Sequence, residues 1–302
     1  MSILEKKVTN IEEGTKIREY LKSELGLSTR LIRSASINKK IFVNDQVVKM
    51  NRVLTSGEII KIDLEKDESQ DIAPEKMDID VVYEDSDVIV VNKRPGMVVH
   101  PTKSYQSGTL ANGLIYYFRE KGENCIVRLV SRLDMDTSGL IIIAKNQFSH
   151  MALARDMRKD TFQKSYLATV HGNMSEAMGT IHLPIYRPSD DSIKRVVDER
   201  GQDSITHFKV MERFKTGDLV KLTLETGRTH QIRVHLTHLG HPLYGDILYG
   251  IEDDKEYIAR QALHAYRLKF PHPRTGEIIE LEAGLPDDIM ELIEKINKSW
   301  WL

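Results

Sequence analysis

Residues 130–145 read VSRLDMDTSGLIIIAK, and they join a polar loop to an apolar strand. Asp134 lies in the loop, whose turn-forming residues 136–139 are followed at once by the apolar run 140–144. A polar loop anchored to a buried strand holds a side chain in a fixed position, which suits a catalytic carboxylate. Taken alone, the same residues also fit an ordinary turn that Asp134 caps. The stretch therefore indicates a sheet-containing fold and a candidate site at Asp134.

Further strands are predicted on both sides of this stretch. The pattern is clearest at Val220, Leu222 and Leu224, which alternate with Lys221 and Thr223 as in a half-buried strand. Short turns between successive strands, with few helices, favour a mainly antiparallel, mixed-sheet α+β domain over residues 79–302. The other predicted strands cover residues 80–93, 163–172, 205–214, 262–270 and 277–283, and helices are predicted at 147–159, 229–240 and 287–297.

The charge distribution divides the chain into unlike parts. Residues 14–50 hold eight basic and three acidic side chains, a net charge of +5, whereas residues 63–85 hold two basic and ten acidic ones, a net charge of −8. We therefore predict a basic domain over residues 1–64, an acidic linker over 65–78 and a larger domain over 79–302. The formal net charge of −2 conceals this contrast and does not exclude an RNA partner.

The basic domain has a sequence pattern of its own. Ile17, Leu21 and Leu25 fall on one face of a helix that Gly26 ends, and Ser28 can cap a second helix. The short strands that follow are predicted at residues 41–44, 46–49 and 58–63.

This pattern resembles an S4-type RNA-binding domain of mixed α and β structure. It departs from the common form at residues 38–40, where a glycine is usual, and at residues 44–45, where Asn-Asp replaces Asn-Gly. The resemblance implies that the basic side chains of this segment contact RNA phosphates, namely Arg30, Arg33, Lys39 and Lys40.

The remaining composition narrows the class of protein. Cys125 is the only cysteine, which excludes an internal disulfide and a zinc site made of cysteine pairs, and is typical of a reducing compartment. The longest apolar run, at residues 140–144, has the length of a strand and is too short to span a membrane. The first residues lack the apolar core of a signal peptide. We therefore expect a cytoplasmic protein without a membrane segment.

Common cofactor signatures are absent from the sequence. It contains no G-x-x-x-x-G-K-[ST], no G-x-G-x-x-G and no H-E-x-x-H, so we expect no cofactor. His230, His235, His238 and His241 could place two imidazoles on one metal, but no carboxylate stands in register with them. Packing and hydrogen bonding explain these histidines better than a metal site. A metal-dependent hydrolase that uses them remains the weaker alternative.

Four ordered motifs resemble those of the RluA-type pseudouridine synthases. They are R-L-D-x-x-T-S-G within residues 130–145, NKRPGMVVHP at 92–101, Lys-x-Tyr at 164–166, and the segment 226–246 that begins TGRTHQIRVH. Ser131 stands where the family usually has histidine. The resemblance covers about residues 80–285, and it implies an enzyme that isomerises uridine in RNA to pseudouridine. In that reaction the glycosidic bond moves from N1 to C5 of uracil.

The resemblance also implies roles for individual residues. Asp134 is the implied nucleophile or base and Arg233 its ion-pair partner, since a planar guanidinium holds a carboxylate in fixed geometry. Tyr166 is expected to stack on the target uracil or to assist proton removal, and Ile232 to form an apolar wall. Arg132 is implied to contact RNA where the flipped base has left the helix, or else a phosphate.

Further assignments by resemblance are backbone contacts of RNA from Arg228, His230 and Lys164. The route by which Asp134 acts, through C6, through C1′ or by elimination, stays open. Structured RNA is the expected partner, ribosomal RNA of the large subunit first and transfer RNA second, and nothing in the sequence requires more than a monomer. The main alternative is a non-catalytic RNA-binding or ribosome-assembly factor. The joint presence of Asp134, Tyr166 and Arg233 disfavours it, because binding alone requires no ion-paired acid.

Overall fold

The computed structural model describes residues 3–10, 12–63 and 70–298. Residues 64–69, at the predicted junction of the basic domain and the acidic linker, lie outside the described residues. Within the described part, the strands form a four-stranded sheet near the N-terminus, a ten-stranded sheet and a separate two-stranded hairpin. None of the helices in these ranges is long and apolar enough to cross a membrane.

The N-terminal sheet packs against two helices, α1 (Ile17–Ser23) and α2 (Thr29–Ile37). Ser28 Oγ accepts a hydrogen bond from Leu31 N at 3.2 Å, which confirms the predicted cap of the second helix. The antiparallel strands lie in the order β1-β4-β2-β3. Their bounds are β1 (Ile3–Lys7), β2 (Ile41–Val43), β3 (Gln46–Val47) and β4 (Ile59–Asp63).

Three non-glycine residues in the described part of this N-terminal unit have left-handed backbone angles. Lys39, Asn44 and Asp45 have φ values of 55°, 49° and 63°. They lie at the two places where the sequence departs from the glycine-containing S4-type pattern. Asn and Asp tolerate this region better than most residues, and Asn44 Oδ1 accepts a hydrogen bond from Ile59 N at 2.9 Å. The backbone therefore keeps the turns although the glycines are missing.

The ten-stranded sheet has the order β10-β13-β14-β9-β15-β8-β6-β5, with β7 beside β8 and β16 beside β15. Among its described pairings only that of β8 with β15 is parallel, in agreement with the predicted mainly antiparallel sheet. Strands β11 and β12 form the separate hairpin. The bounds are β5 (Val81–Glu84), β6 (Val88–Lys93), β7 (Arg128–Leu129), β8 (Ser138–Ala144), β9 (Gln163–His171), β10 (Met178–His182), β11 (Ile185–Tyr186), β12 (Val196–Val197), β13 (Ile205–Arg213), β14 (Gly217–Leu224), β15 (Leu263–Pro271) and β16 (Ile278–Glu282).

Helices cover both faces of this sheet. Leu114 and Phe118 of one helix pack on Ile89 and Ile141, whereas Leu153 of another packs in a separate cluster with Phe270. The helices are α3 (Leu110–Glu120), α4 (Gln147–Asp156), α5 (Gln231–His238) and α6 (Asp287–Lys298), and a 3-10 helix covers Glu252–Glu256. The helices α4, α5 and α6 agree with the sequence prediction, whereas α3 was not predicted.

The parallel contact between β8 and β15 requires a glycine. Gly139 has a φ of 108°, and a Cβ atom there would lie 2.3 Å from the carbonyl oxygen of Ala265. No L side chain fits at that distance, so the backbones approach only because residue 139 has none. The approach fixes the point at which the loop of Asp134 enters the sheet.

Helix α4 also joins the N-terminal unit to the rest of the chain. Phe148 at its start belongs to the core cluster of the N-terminal unit. Arg274, in the turn between β15 and β16, makes two hydrogen bonds to the Asp87 carboxylate at 2.7 and 2.9 Å and also donates to the carbonyl oxygen of Ile3. These contacts place the basic N-terminal unit beside the large sheet.

Candidate active site

Two buried basic side chains hold the loop that carries Asp134. Lys93 Nζ donates to the carbonyl oxygen of Met135 at 2.7 Å, and Arg260 Nη1 donates to that of Asp136 at 2.9 Å. Lys93 and Arg260 are 2% and 7% exposed. Because hydrogen bonds are strong in a buried setting, these two contacts fix the backbone on the C-terminal side of Asp134.

Arg233 lies in α5 between two carboxylates. Its Nη1 donates to Asp134 Oδ2 at 3.1 Å, and its Nε and Nη2 donate to the two oxygens of Asp246 at 2.7 Å each. Burial alone would lower the pKa of Arg233, but Asp246, and then Asp134, raise it above its ordinary value. Arg233 is therefore a permanent cation, held mainly by Asp246 and shared with Asp134.

The spacing of Ile232, Leu236 and Leu239 in the sequence predicts an apolar stripe beside Arg233, and this prediction is only partly correct. Ile232 and Leu236 are buried, at 4% and 0% exposure, whereas Leu239 is 42% exposed. The prediction for Leu239 was wrong because α5 ends at His238 and the chain turns at Gly240. Leu239, which follows the last residue of the helix, leaves the face that packs on the sheet.

Tyr166 faces the same pocket from β9. It is 7% exposed, and it pairs with Leu222 of β14 in the antiparallel register. Burial, and secondarily the negative charge of Asp134, raise the pKa of the Tyr166 hydroxyl well above its usual value. At neutral pH the side chain is thus a flat aromatic surface with a protonated hydroxyl.

These side chains line a pocket that adjoins a wide cleft. The pocket has a volume of about 60 Å³, and the cleft one of about 1000 Å³. Both are lined by Asp134 and Tyr166, so the acid and the aromatic ring lie where the two cavities meet. Ile232, Arg233 and His230 also line the pocket, and Lys164 also lines the cleft. Arg132 and Arg228 line both cavities.

The predicted RNA contacts surround this opening. Arg132 is exposed and its Nη2 lies 3.4 Å from Thr229 Oγ1, a long contact that leaves the guanidinium available. Arg228 Nε donates to the carbonyl oxygen of Asp203 at 3.1 Å. Burial lowers the pKa of Lys164 below its ordinary value. The structure therefore brings the predicted catalytic and substrate-binding residues to this pocket and the adjoining cleft.

The predicted histidine cluster is not gathered at one point. His235 is fully engaged, since its Nδ1 bonds Thr206 Oγ1 at 2.9 Å and its Nε2 bonds the carbonyl oxygen of Leu183 at 3.0 Å. His241 Nδ1 bonds the carbonyl oxygen of His171 at 2.9 Å. Hydrogen bonding thus accounts for these two imidazoles, as the sequence favoured.

The described residues contain one group of three side chains that could hold a metal, and it lies elsewhere, at Asp85, Asp87 and His272. Its acids are already engaged. Asp87 binds the guanidinium of Arg274, and Asp85 Oδ2 lies 2.9 Å from His272 Nε2. This group is best explained as an internal ion-pair cluster.

Sequence reasoning missed four supporting residues. Asp246 was included only within the motif at residues 226–246, and Lys93 only within the motif at residues 92–101. Tyr249 and Arg260 were not singled out. The Tyr249 hydroxyl contacts the imidazole of His230, and its ring lies 5.1 Å from the guanidinium carbon of Arg233. No sequence signal reports such contacts, because they depend on which loops meet in three dimensions.

The basic residues of the N-terminal unit differ in availability. Arg30 and Arg33 are exposed one helical turn apart on α2, and Lys39 is exposed in the following turn. Lys40 Nζ lies 3.2 Å from a carboxylate oxygen of Asp63. Three of the four predicted phosphate contacts are thus exposed, and Lys40 is engaged with an acid.

The chain is similar to known proteins of one family in sequence and in fold. Residues 87–238 match the family model described as RNA pseudouridylate synthase. The chain is 44% identical over 263 residues to the Uncharacterized RNA pseudouridine synthase YlyB of Bacillus subtilis, covering 86% of each chain. It is 38% identical over 275 residues to the Ribosomal large subunit pseudouridine synthase D of Pasteurella multocida, covering 87% of this chain and 85% of that one. A solved structure, Human RNA Pseudouridylate Synthase Domain Containing 1, has a TM-score of 0.57 and 26% identity, covering 74% of this chain and 96% of that one.

The family match identifies an RNA-modifying isomerase. The chain belongs to the RNA pseudouridylate synthase family, in its RluA class. It is an RNA pseudouridine synthase, as the sequence motifs predicted.

Proposed function

We propose that Asp134 is the catalytic carboxylate of this synthase, that Arg233 orients it, and that Tyr166 stacks on the target uracil. The contact of Arg233 Nη1 with Asp134 Oδ2 at 3.1 Å carries the proposal. A binding protein gains nothing from an acid paired with a buried cation in a pocket, whereas a carboxylate catalyst requires it.

The electrostatics of the pocket suit this role. A carboxylate that attacks carbon or removes a proton must stay ionised while it is partly desolvated. The Asp134 side chain is 30% exposed, so a substrate can reach it, and Arg233 supports its charge from the buried side. Because the raised pKa of Tyr166 keeps its hydroxyl protonated at neutral pH, we assign this residue to stacking and not to proton abstraction.

The RNA is proposed to reach the pocket with the target uridine flipped out of its helix. Unstacking a base costs a few kcal/mol, which contacts to the surrounding RNA must offset. Arg132, at the rim, fills the place of the extruded base or binds a phosphate. Arg228, His230 and Lys164 contact the flipped nucleotide and its neighbours, and Ile232 forms the apolar wall of the base pocket.

The N-terminal unit is proposed to be an S4-like RNA-binding domain over residues 1–64, joined by an acidic linker over 65–78 to the catalytic domain over 79–302. Two helices, a small antiparallel sheet and the exposed Arg30, Arg33 and Lys39 support this assignment. Lys40 completes the patch if RNA displaces it from Asp63. These cations provide affinity through phosphate contacts, without a role in the chemistry.

Ribosomal RNA of the large subunit is the proposed substrate, and transfer RNA the second candidate. The relatives named Ribosomal large subunit pseudouridine synthase D support the first choice. The three proposed catalytic side chains come from one chain, which supports action as a monomer, and a ribosomal substrate supports a cytoplasmic location.

The test is to incubate unmodified ribosomal and transfer RNA with the protein and to map pseudouridine by a chemical adduct that stops reverse transcription. We expect new stops in large-subunit RNA with the wild type and with Asp136→Asn, a control in the same loop. We expect none with Asp134→Asn. Equal stops with Asp134→Asn would refute the catalytic assignment, and stops confined to transfer RNA would refute the choice of substrate.

A further inference from the structure

His230 is held in an unusual backbone conformation at the mouth of the pocket. It is the residue before the first turn of α5, with a φ of 59° and no side-chain cap bond to the helix. A non-glycine residue in the left-handed region is uncommon and strained. Its side chain is 11% exposed. With this backbone conformation, His230 lines the cavity that Asp134 and Tyr166 also line.

One ring nitrogen of His230 is committed to Tyr249. The Tyr249 hydroxyl oxygen accepts a hydrogen bond from the backbone N–H of Arg195 at 2.7 Å, so its own proton is free to donate elsewhere. His230 Nδ1 lies 2.9 Å from that oxygen and is the acceptor in reach. A neutral imidazole that accepts at Nδ1 carries its proton on Nε2.

The other ring nitrogen faces the reacting carboxylate. His230 Nε2 lies 3.9 Å from Asp134 Oδ2, too far for a hydrogen bond but close enough for the carboxylate to favour an N–H over a lone pair there. The charged groups around the ring are Asp134, Arg233, Arg195 and Asp246, and burial is the largest influence on it. Burial, together with Arg233 and Arg195, lowers the pKa of His230 against the opposing effect of the two acids, so the ring is neutral at pH 7.

The geometry points to His230 as a hydrogen-bond donor, through Nε2–H, to a carbonyl oxygen of the target uracil. This inference rests on the proposed function. When the bond between C1′ and N1 breaks, its electron pair stays on the base and spreads onto the uracil carbonyl oxygens. A fixed N–H donor stabilises that charge until C5 bonds to the electron-deficient C1′. The C5 proton is then lost and N1 takes one up, so the product is an isomer of the substrate. Removal of one such donor in other enzymes lowers the rate by about 10²–10³-fold.

The kinetic test compares two variants of similar length. His230→Gln keeps an N–H near the position of Nε2, whereas His230→Met keeps the length and loses the donor. Both replacement residues must adopt the same left-handed backbone, so a purely structural role of His230 would change the rates of the two variants equally. Single-turnover rates at saturating RNA, RNA affinity and thermal unfolding are measured for each, with His241→Gln as a control outside the pocket.

We expect His230→Met to lower the saturated rate about 100-fold with unchanged RNA affinity. His230→Gln should recover at least a tenth of the wild-type rate, and His241→Gln should match the wild type. Equal losses in both His230 variants, or a loss of affinity alone, would overturn the inference. Pseudouridine formation by the wild type is measured in the same series, so a failure of the proposed function itself is recognised separately.

A second measurement does not depend on turnover. Nitrogen-15 NMR of histidine-labelled wild-type protein reports the tautomer of each ring, and the His230 signals are those missing from His230→Gln. The inference requires the Nε2–H tautomer at pH 7. A ring protonated on Nδ1 instead would overturn it.

Discussion

Replacing Asp246 by Asn should damage both the stability and the chemistry of this synthase. Asp246 is 2% exposed, and its carboxylate accepts four of the described hydrogen bonds, two from the guanidinium of Arg233 and two from the backbone N–H groups of Leu248 and Tyr249. The amide of Asn keeps one acceptor oxygen but presents an NH₂ group to one of these donors. Breaking a buried ion pair by removing one partner costs about 3–5 kcal/mol. Because Asn retains the shape and one oxygen, we expect about 3 kcal/mol of lost unfolding free energy.

The same substitution frees Arg233 from its main anchor. Arg233 would then turn toward Asp134, the other carboxylate within reach, and the catalytic group would leave its position. Misplacement of a reacting group by about 1 Å can cost about 10²-fold in rate. We therefore expect Asp246→Asn to lower the single-turnover rate at saturating RNA about 100-fold while leaving RNA affinity near that of the wild type.

The assay pairs urea unfolding with single-turnover kinetics. Asp203→Asn is the matched control, since its side chain is 67% exposed and pairs with exposed His182, an interaction of about 0–1 kcal/mol. It should change neither quantity by much. If Asp246→Asn lost less than about 1 kcal/mol and kept the wild-type rate, the claim that Asp246 anchors Arg233 would be refuted.

Three further perturbations have defined outcomes. Gly139→Ala should destabilise the protein by more than about 3 kcal/mol in urea unfolding, because its Cβ would meet the backbone of Ala265; a near-neutral effect would contradict that packing. Burial lowers the pKa of Lys93 to about 7. Between pH 7 and 10.5 the unfolded chain therefore binds a proton that the folded chain has lost, so the free energy of unfolding should rise with pH over this range, and Lys93→Met should abolish that rise. Parallel stability curves for the two proteins would contradict this prediction. Combining Arg30→Ala with Arg33→Ala should weaken RNA binding and lower the number of salt ions released on binding by about two, while the rate at saturating RNA stays constant. A collapsed rate with intact RNA affinity would count against an RNA-binding N-terminal unit.

Local rules predicted much of the fold. The cap at Ser28 and the alternation in β14 follow from the chemistry of neighbouring residues, and both are present in the structure. Helix α3 was missed because Asn112 and Gly113 are poor helix formers. A Cβ at Gly113 would lie within 2.6 Å of the Met77 side chain, so tertiary packing selects the glycine there.

The residues of the site likewise include some that the sequence predicted and some that it did not. Asp134, Tyr166 and Arg233 were predicted together only through family resemblance, and the structure then places them around one pocket. The anchor of Arg233, Asp246, lies 13 residues along the chain, and nothing in its local sequence indicates that it is buried. Contacts of this kind depend on loop placement, which local pattern does not encode.

The most direct test of the central claim is the release of tritium from RNA that carries tritium at C5 of uridine. The C5 hydrogen must leave when C5 bonds to C1′, so release counts turnover. At saturating RNA the wild type and Asp136→Asn should release tritium at similar rates, and Asp134→Asn should release none above background while binding RNA as tightly. Tritium release by Asp134→Asn at the wild-type rate would show that another group performs the chemistry.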